Sequence, residues 1–530
     1  MTAETITGLR DPRLMQAALA LHDNRLSEAE PLLRAHLKAD PFDVYAIRML
    51  AELAGRIGRY RDAENLLRRA LELRPAFGAA RANLATCLYK QNKPAEAIAE
   101  LDRVMVEDPE NIGHSNLKAA ALGKIGGFDE AIELYDEVLK AAPDQPKVWM
   151  SYGHMLKTVG RLDDGVAAYR RAIGIAPTLG EVWWSLANLK TVRFGTEDIA
   201  AMQAALAQDG LSDEDRFHLD FALGKAFEDA KDHASAFAHY DAANALRRET
   251  QPYSAQENSR FVDRSIAIAT PQLFAAKAGQ GCPDRAPIFV LGMPRAGSTL
   301  VEQILSSHSL VEGTSELPDI PALARTGDYP ERLADLSADA LRGLGEDYLK
   351  RAAIQRRTDK PYFIDKLPNN WAHVPFIHLI LPNAVIVDAR RHPMSCCFSN
   401  FKQHFARGQA FSYALDDMGR YYADYVRLMA HIDRVLPGRV HRVLYEQMVD
   451  SSEAEIRALI AACGLPWEDA CLRFHETERA VRTPSSEQVR RPIFRDGVEG
   501  WQGFASWLGP LEAALGDVLT SYPTAPAQWQ

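Results

Sequence analysis

The chain has 530 residues, 47% of them hydrophobic, and a formal charge of −10 from 61 basic and 71 acidic side chains. Such a length allows three or four domains, or fewer if one is a repeat array. The negative balance argues against a nucleic-acid partner, although local basic clusters can still hold a phosphorylated small molecule. Cys87, Cys282, Cys396, Cys397, Cys463 and Cys471 contain no C-x-x-C pair and no metal-ligand spacing, so the reading is reduced thiols in a cytoplasmic protein without a metal. The opening MTAETITGLRDPRL lacks the basic and apolar regions of a signal peptide, and no apolar run approaches the length of a membrane span, so neither is expected.

The first half repeats. Proline recurs at Pro41, Pro75, Pro109, Pro143 and Pro177, always 34 residues apart. A turn residue keeps the same period at Asn24, Gly58, Asn92, Gly126 and Gly160, and a small residue does so at Ala29, Ala63, Ala97, Ala131 and Gly165. Gly and Asn tolerate the left-handed backbone between two helices. The small residue lets the second helix approach the first, and the proline ends each unit. This period resembles that of tetratricopeptide repeats, helix–turn–helix units that bury their apolar faces by stacking into a solenoid.

After Pro177 the period weakens. EVWWSLANLK begins like another first helix, RFGTEDIAAMQAAL breaks the register, and LDFALGKAFEDAKDHASAFAHYDAANALRRE reads as two antiparallel helices turning near Asp232. The expectation is a repeat array over residues 8–250, closed by a degenerate pair, with Trp183 and Trp184 as core. Its default role is that of a scaffold or protein-docking surface. A linker is expected over 271–286, where GQGCPDRAP is rich in Gly and Pro. From 287 to 525 the strands PIFVLG, PYFID, NAVIVDAR and RVHRVLY alternate with helical patterns. That alternation predicts an α/β domain with a mostly parallel sheet.

Three clusters in this domain carry chemistry. PIFVLGMPRAGSTLVEQILSSH is a strand, a Gly-rich turn and a helix, the arrangement that aims backbone N–H groups at an anion. A Walker A loop would have a lysine before the final Ser/Thr; here Gly297 runs directly into Ser298 and Thr299, and Arg295 lies inside the loop. FIDKLPNNW places Lys366 just beyond a short apolar run. In VIVDARRHPMSCCFSNFKQH a strand ends at Arg390 and Arg391, and a helix opening at Pro393 carries Ser399. Taken singly, the loop also reads as a plain strand–turn–helix with a capping serine, Lys366 as an exposed lysine beyond a strand end, and the arginine pair as a solvated basic edge.

Taken together they resemble the sulfotransferase family that uses 3′-phosphoadenosine 5′-phosphosulfate (PAPS), above all its protein-tyrosine branch and bacterial chains that join tetratricopeptide repeats to such a domain. The expected architecture is therefore an all-α repeat solenoid followed by a P-loop-like α/β domain. By this resemblance Arg295, Ala296, Gly297, Ser298 and Thr299 form the 5′-phosphosulfate loop. Arg391 and Ser399, eight residues apart, take the 3′-phosphate. Glu316, 21 residues after Arg295, is the base, and Lys366, 25 before Arg391, is the catalytic lysine. Tyr445 in RVLYEQMV would touch the cofactor. Arg491 or its neighbour Arg490, in SSEQVRRPI, would return a basic residue to the phosphates, with Ser485 and Ser486 lining the same segment.

Two positions depart from the pattern. Gln403 stands where a basic residue is expected four positions after Ser399, with Lys402 and Arg407 nearby but out of register. Glu487 stands where related bacterial chains often have an aromatic residue. Five histidines, His308, His373, His378, His392 and His404, sit at no spacing that competes with Glu316 and are read as structural or surface residues.

The implied reaction is in-line transfer of a sulfuryl group to a hydroxyl, with Glu316 as base and Lys366 at the bridging oxygen of the leaving phosphate. Arg295 and the loop N–H groups stabilise the transferring charge, and no metal is needed. The implied partners are PAPS and its product PAP, a hydroxyl acceptor that is protein or carbohydrate, and a protein partner through the repeats. One alternative is a repeat-based scaffold whose α/β domain binds a nucleotide without catalysis. Another, a P-loop kinase, is disfavoured by the missing loop lysine.

Overall fold

The computed structural model describes residues 11–530 apart from 406–407, 480, 482, 484–485 and 494–497. The chain forms two compact units, Met1–Ile175 and Ala176–Gln530.

Among the described residues the first unit is five helix pairs, running from Pro12–His22 and Leu26–Ala39 to Pro146–Thr158 and Leu162–Ile175. The period is visible in the backbone. Asn24, Gly58, Asn92, Gly126 and Gly160 all have positive φ, between 58° and 90°, and each turns the chain between the two helices of a pair. Ala29, Ala97 and Ala131 have no exposed surface. In the fifth pair Gly165 takes their place: a Cβ there would stand 3.3 Å from the Gly153 carbonyl. The array is an all-α solenoid, as its spacing predicts.

The second unit opens with helices Gly180–Ala187, Thr196–Leu206, Asp213–Asp229 and His233–Thr250. In sequence these are the tail of the array; in space they pack on the α/β domain. Asn244 donates its side-chain amide to the Phe401 carbonyl at 2.9 Å, Arg248 pairs with Asp417 at 3.0 Å, and Lys402 pairs with Glu228 at 2.6 Å. The 34-residue register fails where these helices acquire a different neighbour.

The sheet has five parallel strands, β1 (Pro287–Gly292), β2 (Val311–Ser315), β3 (Tyr362–Asp365), β4 (Val385–Arg390) and β5 (His441–Leu444), in the order β2-β3-β1-β4-β5. Four of these are the runs read from sequence. The fifth, β2, is not: VEGTS carries one large apolar side chain and is held by pairing to β3 alone. Ile288, Val290, Ile364 and Val387 are fully buried, as is Ile304 of the helix Ser298–Ser306. Continuous apolar strands are what a parallel sheet covered on both faces demands.

Candidate active site

Every strand of the sheet ends at a residue singled out in the sequence. β1 runs into the loop 293–297, β2 into Glu316, β3 into Lys366, β4 into Arg391 and β5 into Tyr445. The carboxyl ends of parallel strands, where the strand order reverses, are where open α/β sheets bind ligands. Here β1 is that point: the chain moves from it to β2 and β3 on one side and to β4 and β5 on the other. At about 5 Å per strand, Lys366, the loop and Arg391 stand within about 10 Å along one edge.

The loop is built on close approaches. Gly292 has φ 127° and Gly297 has φ 100°. A Cβ at Gly292 would fall 2.2 Å from the Ala389 carbonyl of β4, and one at Gly297 would fall 2.9 Å from the Tyr445 ring. The Pro294 carbonyl accepts from the Asn400 amide at 2.8 Å and the Cys396 thiol at 3.3 Å. Burial pushes that thiol up to about 12, so Cys396 stays protonated and able to donate. Ala296 is buried, and Ser298 and Thr299 open the helix with their N–H groups at its positive end.

Arg295 also has positive φ, 65°, which turns its side chain toward the β4 side of the loop. Its Nε donates to Ser399 Oγ at 3.1 Å. Arg391 donates to the Arg295 carbonyl at 3.1 Å and lies 4.9 Å from the centre of the Tyr445 ring. Arg295, Arg391, Ser399 and Tyr445 are therefore one cluster. Burial, with Arg391's charge adding to it, pushes the Arg295 guanidinium down to about 10, a strain that a bound anion would relieve. The neighbouring Arg390 is engaged differently: it pairs with Asp388 at 3.0 Å and donates to the Tyr425 hydroxyl at 3.1 Å. Of the two adjacent arginines, only Arg391 faces the site.

On the other side of the loop Lys366 donates to Glu316 Oε1 at 2.5 Å. Lys366 is 1% exposed, whereas the Glu316 side chain is half exposed. A second carboxylate, Glu302 of the loop's own helix, lies 4.0 Å from Lys366 and is itself paired with Arg479 at 3.0 Å. The lysine is thus a desolvated cation held between two carboxylates, one buried and one open to an incoming molecule. Behind it Asp365 is raised to about 8 by burial, with the Tyr348 hydroxyl donating to it at 2.9 Å.

A cavity of about 920 Å³ lies over the loop and the β4–β5 side of the edge. Ser298, Thr299, Arg391, Ser399, Tyr445 and Arg491 line it, as do Arg295 and Gly297. Glu316 and Lys366 are not in its wall. Arg490 donates to the Arg479 carbonyl at 3.1 Å, so of the closing pair it is Arg491 that meets the cavity. Ser486 is buried; Ser485 and Arg407 lie outside the described residues. Gln403 and Glu487 both line the cavity, and Lys402, matched by Glu228, does so as well.

The cavity has components that the sequence reading did not single out. Lys190 and Arg193 face it from the segment after Ala187, beside Trp184, which is buried as expected and packs against Phe221 at 5.3 Å. Trp183 is core, as expected: it is 1% exposed and donates to the Pro177 carbonyl at 2.8 Å. The one sequence signal for a second cavity wall was the loss of the 34-residue register at this point.

Comparison with known proteins agrees with this architecture. Residues 287–469 match the sulfotransferase family, and residues 58–121 and 116–179 match tetratricopeptide repeats. An uncharacterized protein of Aquifex aeolicus is 34% identical over 330 residues, 59% of this chain and 43% of that relative. Protein-tyrosine sulfotransferase 1 of Danio rerio is 25% identical over 41% of this chain and 65% of its own length. Protein-tyrosine sulfotransferase A of Caenorhabditis elegans is 22% identical over 48% of this chain and 73% of its own length. The chain thus spans less than two thirds of the length of the first two relatives. Among solved structures, MamA is similar at 24% identity and TM-score 0.29, covering 31% of this chain and 96% of that one. The TPR protein YrrB is similar at 20% identity and TM-score 0.29, covering 32% and 88%. The chain carries a sulfotransferase-family domain together with tetratricopeptide repeats, and among the described residues no helix is long and apolar enough to cross a membrane.

Proposed function

We propose that the protein is a PAPS-dependent sulfotransferase that moves a sulfuryl group to a hydroxyl acceptor. The observation that carries this reading is the division of one sheet edge by the β1 loop. A cationic cavity holding Arg295, Arg391 and Ser399 lies on one side, and the Glu316–Lys366 pair lies on the other. A donor with phosphate at both its 3′ and 5′ positions suits the first half, and an acceptor hydroxyl suits the second.

The residues fit that donor. The positive-φ glycines let the loop backbone pass close to β4 and Tyr445, which clears room for 5′ oxygens beside Ser298 and Thr299. Arg391, Ser399 and Arg491 would hold the 3′-phosphate, and Arg295, bonded to Ser399, places its charge between the two phosphate positions. Tyr445 would contact the nucleoside. Glu316, open to solvent, would take the acceptor proton, and the buried Lys366 would meet charge developing on the leaving phosphate. Arginine and lysine supply the positive charge in this scheme. The six cysteines, all buried and unbridged, fit a reducing, cytoplasmic location.

The matched relatives named for tyrosine sulfation make a peptide tyrosine the first acceptor to test, with carbohydrate hydroxyls second. The repeat array would bind the acceptor or a partner protein. The test is incubation of the chain with sulfur-labelled PAPS and tyrosine-containing peptides or host lysate. Label transferred to a hydroxyl-bearing molecule, with PAP released, is expected. PAP that binds without any transfer would favour the scaffold reading, and binding of ATP with Mg²⁺ in preference to PAP would contradict the sulfotransferase reading.

A further inference from the structure

The cavity over the phosphate loop is lined by residues from 184–240, 295–300 and 391–403, by Tyr445, and by 487–493 and 499–501. The first and the last of these stretches lie outside the family-matched segment 287–469. The last is fixed against the other walls. Thr483, just ahead of it, meets the Thr299 hydroxyl at 3.2 Å, the Ser395 hydroxyl donates to the Val498 carbonyl, and Trp501 stacks on His392 at 6.1 Å. Between these contacts in sequence stands Glu487, 8% exposed and part of the cavity wall. Its Oε1 is buried with no hydrogen-bond partner, and no ion pair reaches the side chain among the described residues.

A carboxylate has an obvious use in this wall only if it meets a donor, because the rest of the cavity is built for anions: Arg295, Arg391 and Arg491 line it with the start of the loop helix. The other buried acid nearby, Glu228, is matched by Lys402 at 2.6 Å, but Glu487 has no such counterpart among the described residues. A buried acceptor left unsatisfied in a cavity marks a group that a polar ligand completes. Apart from its phosphates, a 3′-phosphoadenosine nucleotide offers only two kinds of polar hydrogen, the 6-amino group of adenine and the 2′-hydroxyl of the ribose. The 2′-hydroxyl is on the carbon beside the one that bears the 3′-phosphate, so a carboxylate there would face that phosphate at close range in a desolvated site, where like charges repel most strongly. The 6-amino group is at the far end of the base from both phosphates, and a carboxylate can meet it without that repulsion.

We propose that Glu487 is the residue that selects the base, its carboxylate accepting a hydrogen bond from the adenine 6-amino group. The donor nucleotide is then recognised at three places: by the loop at its 5′ end, by Arg391 and Ser399 at its 3′-phosphate, and by Glu487 at the edge of the base. The inference rests on the sulfotransferase reading above.

Calorimetric titration of the full chain, wild type and Glu487→Leu, tests it with three ligands: PAP, its 6-deamino analogue (purine riboside 3′,5′-bisphosphate) and 2′-deoxy-PAP. The ratio of affinities is the readout, because removing a negative charge also eases the approach of the phosphates and so changes absolute affinity. The wild type should bind PAP about 10- to 100-fold more tightly than the deamino analogue, the range for a hydrogen bond to a charged group. In Glu487→Leu that ratio should fall below about threefold. A wild-type ratio under about tenfold, or a ratio that stays above about threefold in Glu487→Leu, overturns the proposal while leaving the sulfotransferase reading intact. A loss of about tenfold or more for 2′-deoxy-PAP that Glu487→Leu abolishes would assign the carboxylate to the ribose and overturn the adenine assignment. A wild-type chain that binds no PAP overturns both the proposal and the reading it rests on. The wild-type comparison needs no variant to fold, and the melting temperature of Glu487→Leu separates loss of the site from loss of the fold.

Discussion

In the repeat array the same few residues solve the same problem five times: Asn24, Gly58, Asn92, Gly126 and Gly160 turn the chain, and Ala29, Ala63, Ala97, Ala131 and Gly165 let paired helices touch. In the second unit the residues that matter do not recur. They stand directly after the ends of five strands that are far apart in sequence. Stability in the array is therefore local and additive, as expected for nearest-neighbour stacking. The chemistry of the second unit depends on a sheet order that brings Glu316 beside Lys366 and Arg391 beside Arg295. A change in the array should alter folding without touching the site, and a change at the sheet edge should do the reverse.

The largest effect belongs to Glu316. Glu316→Gln keeps an acceptor for Lys366 but removes the base, and kcat should fall by about 10²–10⁴ with PAP affinity nearly unchanged; steady-state kinetics beside a binding titration would show it. A matching loss of PAP affinity would mean that the two sides of the loop are not separable. Next comes Leu101→Ala in the array, where Leu101 has no exposed surface. It should destabilise the first unit by about 2–5 kcal/mol in a urea melt, with PAP affinity within twofold of wild type. A large loss of PAP affinity would break the separation from the array side. Third, Arg391→Ala should raise KM for PAPS by the equivalent of roughly 2–3 kcal/mol, with Glu316–Lys366 chemistry intact at saturation. An unchanged KM removes Arg391 from the site.

The smallest effect is in pH. Burial holds His218, His373 and His378 down to about 4 and His404 to about 2 in the second unit, against His154 at about 4 in the array. Each is neutral when folded and binds a proton below about 6.5 when unfolded. The unfolded state then carries more protons, so stability falls as pH drops through this window. Asp365, raised to about 8, acts in the opposite sense: its contribution is lost as pH rises. His392, His431 and His441 are also held down by burial, and Asp319, Asp417 and Asp424 are raised by it, so seven histidines against four aspartates, with one such histidine in the array, leave the second unit the more acid-sensitive between about pH 6.5 and 4.5, at up to about 1.4 kcal/mol per pH unit for each group. Hydrogen exchange at pH 7 and pH 5 should show protection lost first beyond Ala176; earlier loss in the array contradicts this assignment.

The same contrast decides what could be read from sequence. The array was legible because a period survives translation into structure directly. Four strands were legible because a parallel sheet needs continuous apolar runs. β2 was not, because VEGTS owes its strand to the edge of β3, and its Glu312 is spent on the backbone N–H groups of Arg357 and Thr358. The candidate site was legible through the family resemblance, whose spacings name Arg295, Glu316, Lys366, Arg391 and Ser399 but say nothing of who meets whom. That Arg295 turns to Ser399, that Arg390 is tied to Asp388, and that Lys190 reaches Gln403 are tertiary facts. Lys190 lay furthest from sight, since the segment around it still resembles a worn repeat.

The central claim is that one sheet edge holds a 3′-phosphonucleotide on one side of the loop and a proton-accepting pair on the other. Titration of PAP into the wild-type chain, Glu316→Gln and Arg391→Ala tests it most directly. The account predicts tight and nearly equal binding by the first two and binding weakened by about 30-fold or more in the third, the equivalent of about 2 kcal/mol. A wild-type chain that ignores PAP, or an Arg391→Ala chain that binds it as well as wild type, would contradict the account.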